Sequence, residues 1–175
     1  MSRPNLASLL LQYARLDRKR GLEGLDAAET RLLMELDREL SAALTPHVPP
    51  GAERRSSIRV PADVACRWAP VARAEDGRIT VLSRSGAFIR TARPAPVGQE
   101  ITISITLPSG GKVEVPGVVA NQILGPDPER QGMGVRFARM PREAMAAIDS
   151  LYELSIVRQY GSPEPPCDGG TPTSG

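Results

Sequence analysis

Ile101-Thr102-Ile103-Ser104-Ile105-Thr106-Leu107 sets a branched apolar residue against a hydroxyl at every step, the period-two pattern of a half-buried strand. Pro108-Ser109-Gly110-Gly111 turns the chain, and Val113, Val115 and Val119 carry an apolar face along the next strand, where Pro116 and Gly117 predict a bulge or an edge. After a Gly/Pro/Asp loop, Gly132-Met133-Gly134-Val135-Arg136-Phe137 supplies a last strand. Upstream, Val64, Cys66 and Trp68 alternate, and a turn around Glu75-Asp76-Gly77 follows. Ile79 and Val81 are expected on one face of a strand over 78–83, and a further strand over 87–91 follows Gly86 directly. Six short strands joined by turns and never by helices exclude a parallel sheet and predict an antiparallel barrel or sandwich.

Helices flank this β region. From Asn5 to about Arg20, Leu6, Leu9, Leu10, Tyr13 and Leu16 recur at three and four, with basic residues at the C-terminal end and Gly21 placed to stop the helix. Asp26 with Glu29 forms a capping-box start for a second helix, whose stripe is Leu32, Leu33, Leu36, Leu40 and Leu44. Residues 1–45 thus read as a helical hairpin. Two such helices bury too little to stand alone, so their stripes need each other, the following domain or a second copy of the chain. Residues 46–52, rich in Pro and Gly, read as a linker, and 53–160 as the β domain with a closing helix. That helix opens at Pro141 and carries the stripe Ala144, Met145, Ile148, Leu151, Tyr152 and Ile156. Residues 161–175 form a Pro/Gly tail expected to be disordered.

Composition narrows the function classes. The 175 residues hold one domain with a core plus something smaller. A net charge of +2 does not force a nucleic-acid or membrane partner, although the basic residues are Arg apart from Lys19 and Lys112. Aromatics, at 3%, are too few for a base-stacking platform, so nucleic acid is not expected as a partner. No apolar run is long enough for a signal sequence or membrane span. Cys66 and Cys167 have neither disulfide-scaffold nor metal-ligand spacing, which fits a reducing cytoplasm. A catalytic centre is hard to place: there is no Cys/His pair, metal-ligand cluster or Walker-type loop, and the one histidine, His47, lies in the linker. Glu35, Asp37 and Glu39 lie on the wet face of the second helix. A binding module without enzymatic activity is the expectation.

The remaining signal is basic. Arg54-Arg55-Ser56-Ser57-Ile58-Arg59 precedes the first strand, and Leu82-Ser83-Arg84-Ser85-Gly86 follows the second. The guanidinium groups of Arg55 and Arg59 are suited to bidentate contact with phosphates or guanine edges. Together with the Gly-Met-Gly-Val-Arg-Phe strand at 132–137 and the closing helix, Arg55-xxx-Arg59 and Ser83-xx-Gly86 resemble the PilZ family over roughly residues 53–158, leaving the hairpin outside. The resemblance implies a bacterial six-stranded antiparallel β-barrel, closed here by a C-terminal helix, that binds cyclic di-GMP and passes its signal to motility or another output. It implies a ligand site of Arg55 and Arg59, with Arg54 auxiliary, together with Ser83 and Gly86, and no metal.

The chain departs from the family pattern at one position. The family carries Asp or Asn two residues before the motif Ser, where this chain has Val81. A valine accepts nothing from guanine N–H donors, and one unpaired group costs about 1–3 kcal/mol, roughly tenfold to a hundredfold in affinity. Asp76 or Asp63 is the expected substitute. Two functions follow: a cytoplasmic cyclic di-GMP effector that relays occupancy through the hairpin to a protein partner or to a second copy of itself, or a degenerate adaptor that acts by protein contacts alone.

Overall fold

A computed structural model of the chain describes residues 5–44, 57–70 and 73–161. The linker with His47, the basic residues Arg54 and Arg55, and the tail with Cys167 lie outside the described residues.

Helix α1 spans Leu6–Leu22, capped by the Asn5 side chain, which accepts from the Ala7 N–H at 3.1 Å. It buries Ala7, Leu10, Tyr13, Ala14 and Asp17. The helix runs through Gly21, contrary to the expectation that this glycine stops it. Gly24, at φ +83, is the terminator: its N–H and that of Glu23 both reach the Lys19 carbonyl, at 3.1 and 2.9 Å. Helix α2, Ala27–Leu44, starts at the predicted capping box. Asp26 Oδ1 accepts from the N–H groups of Ala28 and Glu29, and Glu29 Oε2 accepts from Asp26 N–H. Its buried stripe of Leu33, Leu36 and Leu40 faces α1, and α1 in turn packs on the C-terminal helix α3, Arg142–Tyr160. Of the three ways to cover the stripes, the hairpin uses each other and the following domain.

Between the hairpin and α3, six strands close into an antiparallel barrel in the order β1-β2-β3-β6-β5-β4. They are β1 Val60–Ala69, β2 Glu75–Leu82, β3 Gly86–Arg90, β4 Glu100–Thr106, β5 Lys112–Ile123 and β6 Gly132–Phe137. Closure removes free edges, so the Pro116-Gly117 pair marks none. β5 runs through it, with Pro116 opposite Thr102, and the β5–β6 irregularity falls later, between Val119 and Asn121.

Alternation fills the interior. Trp68, Ile79, Leu82, Ile89, Ile103, Ile105, Val115 and Met133 point inward, and α3 adds Ile148, Tyr152 and Ile156 in one continuous core that also takes in Leu10 and Leu40 of the hairpin. Each fully buried aliphatic side chain contributes on the order of 1.5–3 kcal/mol, which offsets the ordering of a chain poor in aromatics. One expectation fails here. Ile79 and Val81 do not share a face, because a register shift between them turns Val81 to the outer wall while Ile79 and Leu82 stay inside. That shift places Val81 in the site.

Candidate functional site

Two short segments meet at the barrel wall beside the helices. The turn from β2 into β3 is built by Ser83, whose N–H donates to the Gly86 carbonyl at 2.9 Å while its hydroxyl accepts from the Gly86 N–H at 3.1 Å. Gly86 admits no side chain, since a Cβ there would run into the carbonyl oxygen of Val135 on β6. Ser83 is buried, so its hydroxyl serves the turn as well as the wall. The other segment, Ser57-Ile58-Arg59, leads into β1. The two are joined directly, Ser57 Oγ lying 2.8 Å from Ser85 Oγ.

Ile58 is anchored by both flanking helices. Its N–H donates to the Tyr13 hydroxyl of α1 at 3.2 Å, and its carbonyl accepts from the Tyr152 hydroxyl of α3 at 2.9 Å. Burial, with Asp17 adding to it, pushes the Tyr13 phenol up to about 12. Burial raises that of Tyr152 further.

Arg84 turns away from the barrel wall into the junction of α1 and α3. Its Nε donates to Asp149 Oδ1 at 2.6 Å, and its Nη1 donates to the Asp17 carbonyl at 2.5 Å and faces Asp17 Oδ2 at 3.4 Å. Arg20 also pairs with Asp17. Burial opposes the charge on Arg84, yet Asp149 and Asp17 outweigh it and hold the guanidinium above its ordinary range. Gly21 lies beside this guanidinium.

On the outer wall, Arg59, Ser83, Ser85 and Gly86 border a cavity of about 470 Å³ together with Val81, Phe88, Asn121 and Arg136. Its described lining contains two guanidinium groups and no carboxylate, which suits an anion with a planar apolar part. The expected site residues Arg59, Ser83 and Gly86 are therefore brought together, whereas Arg54 and Arg55 lie outside the described residues. Neither acid proposed to replace Val81 does so: Asp63 pairs with Arg78 and Asp76 with Arg67 at 3.2 Å, away from the cavity. Phe88, Asn121 and Arg136 were missed because only the register of β3, β5 and β6 places them here; their strand assignment was the one available signal. Among the described residues, no cluster of His, Cys, Asp and Glu could hold a metal ion, and no helix is long and apolar enough to cross a membrane.

Arg84→Ala leaves the buried Asp149 without its cationic partner and Asp17 with Arg20 alone, and is expected to cost about 3–5 kcal/mol in urea unfolding. Alkaline titration tests the tyrosine anchor. The unfolded phenol releases its proton near pH 10 and the folded Tyr13 only near 12, so its contribution is complete below about pH 10 and is lost as pH rises through about 12. Tyr13→Phe should flatten that part of the stability profile.

The family model described as the PilZ domain matches residues 53–154. Among solved structures, the Bacillus subtilis inhibitor of motility (MotI/DgrA) is 19% identical, with a TM-score of 0.50, over 63% of this chain and 56% of that one. The chain thus spans little more than half of that protein's length. The PilZ domain of CeSA from a cellulose-synthesizing bacterium is 18% identical over 56% of this chain and 98% of that one, with a TM-score of 0.45. The PilZ domain of YcgR from Escherichia coli, solved with c-di-GMP, is 18% identical over 59% and 89%, with a TM-score of 0.42. No curated protein sequence matches the chain. With the family model matching more than half of the residues and a closed six-stranded barrel bearing Arg59, Ser83 and Gly86 on one wall, the protein belongs to the PilZ domain family.

Proposed function

We propose that the protein is a cytoplasmic receptor for cyclic di-GMP, without enzymatic activity or metal, that relays occupancy to a protein partner controlling motility or a related output. The observation that carries this reading is the meeting of Arg59, Ser83 and Gly86 around one carboxylate-free cavity, with the segment bearing Arg54 and Arg55 immediately upstream. Phosphates are attracted by guanidinium groups, and charge-assisted hydrogen bonds of this kind contribute about 1.5–3 kcal/mol each. The relay rests on Ile58 and Arg84, which tie both motif segments to α1. In this proposal residues 1–45 form the output unit, 46–52 its linker and 53–160 the sensing domain. The hairpin meets either a different protein or a second copy of the chain.

A second reading is favoured by Val81, which lines the cavity where the family pattern has an acceptor. Under it, the barrel has lost the nucleotide and the chain is an adaptor working through protein contacts.

Titration calorimetry on the full chain separates the two. The receptor gives saturable heat with cyclic di-GMP, and Arg59→Ala weakens it tenfold to a hundredfold. Silence of the natural protein at high micromolar nucleotide, with binding restored in Val81→Asp, establishes the adaptor instead. The relay has its own measurement: nucleotide should change amide hydrogen exchange across residues 6–22, and unchanged protection there at saturation would remove α1 from the pathway.

A further inference from the structure

The far wall of the cavity is more specific than the motif segments alone explain. Register places Val81, Phe88, Gly134 and Asn121 in one row across β2, β3, β6 and β5, since Val81 pairs with Phe88, Phe88 with Gly134 and Gly134 with Asn121. All four line the cavity. Strands lie about 4.8 Å apart, so the row extends roughly 14 Å across the outer face. Its β2 end is apolar. Its middle is an aromatic side chain beside a glycine.

The β5 end is polar and oriented. The register shift between Val119 and Asn121 sets Asn121 directly opposite Gly134, whose N–H donates to Asn121 Oδ1 at 3.0 Å. A Cβ at position 134 would crowd that same oxygen, so the glycine leaves the Asn121 carboxamide room to lie across β6. An N–H donor requires the oxygen of the carboxamide on its side, so the two Nδ2 hydrogens are left for the cavity. Arg136, two residues along β6, adds a guanidinium that can only donate. The wall facing Val81 therefore presents donors, and the acceptor missing from β2 is not replaced by another acceptor.

We propose that Asn121, supported by Arg136, reads the O6/N7 acceptor edge of a guanine base and thereby takes over base selection from position 81. Guanine presents two adjacent acceptors on that edge, whereas adenine presents N7 beside an N6 donor that would face the Asn121 donors. Val81 and Phe88 supply the apolar surface against which such a base lies. The inference rests on the nucleotide-receptor reading and specifies how that site chooses its base.

The test is calorimetry on the full chain with cyclic di-GMP, its 7-deazaguanine analogue and cyclic di-AMP. The natural protein should bind cyclic di-GMP, bind the 7-deaza analogue about tenfold more weakly for one lost hydrogen bond, and discriminate against cyclic di-AMP. Asn121→Asp keeps an oxygen for the Gly134 N–H but turns an acceptor toward O6/N7, and should lose tenfold or more. Asn121→Ala should lose about tenfold and narrow the preference for guanine, its thermal midpoint being checked because Gly134 loses a partner. Binding by Asn121→Asp that equals or exceeds the natural protein's would mean that guanine's donors are read, and would overturn the proposal. So would equal binding of the 7-deaza analogue. These failures differ from that of the underlying reading: if the natural protein itself gives no saturable heat, the receptor assignment falls and this inference with it.

Discussion

The backbone of Ile58 is held on both sides by phenols from two different helices, and the candidate site is arranged around that fact. Ile58 lies just before β1, where the barrel ladder has not begun, so its buried N–H and carbonyl need partners from elsewhere. Tyr13 accepts from one and Tyr152 donates to the other. The two helices are thereby fixed relative to the start of β1, and Arg59 borders the cavity from a segment anchored on its buried side. Ser57 adds a further tie through Ser85, which couples the two motif segments.

The wall behind them is shaped by the absence of side chains. Gly86 and Gly134 each occupy a place where a Cβ would meet an atom of the neighbouring strand, and Gly132 lies under the ring of Phe88. A β-sheet face normally presents a side chain at every outward position. Here the outer face of β3 and β6 is hollowed by glycines, which lets one aromatic ring and one carboxamide define its chemistry. The closed barrel makes this hollow rigid, since every strand forming it is paired on both sides.

Much of the architecture was legible from residue patterns, for reasons that also explain the gaps. Ile101 to Leu107 and Asp26 with Glu29 are signals carried within a few residues, and period-two alternation or a capping box determines local structure whatever surrounds it. The pairing of Arg59 with Ser83 and Gly86 came from the resemblance to PilZ domains, and register brings them together. What could not be read depends on contacts between distant elements. Gly21 looked like a helix stop, but a glycine ends a helix where its φ turns positive, and here that is Gly24. Asp17 is buried against Arg84, 67 residues away, a contact that no local pattern announces. Val81 was placed with Ile79 because a one-residue register shift leaves no mark in the apolar pattern, yet it reverses the face. Asn121 was invisible for the same reason.

Magnitudes decide which of the two ties to α1 would yield to a ligand. A nucleotide present at a hundred times its dissociation constant shifts a conformational equilibrium by at most about 2.7 kcal/mol. The Ile58 anchor consists of two neutral hydrogen bonds, each contributing about 1 kcal/mol net, so their exchange lies within that range. The Arg84 cluster does not: breaking a buried charged contact costs about 3–5 kcal/mol, and here the guanidinium serves two carboxylates and a carbonyl at once. Under the receptor reading, Arg84 is therefore the fixed pivot and Ile58 the yielding contact. Motion at α1 would take the form of a pivot near Asp17, with the preceding part that carries Tyr13 moving, and α2 would follow because Leu33, Leu36 and Leu40 are packed on α1.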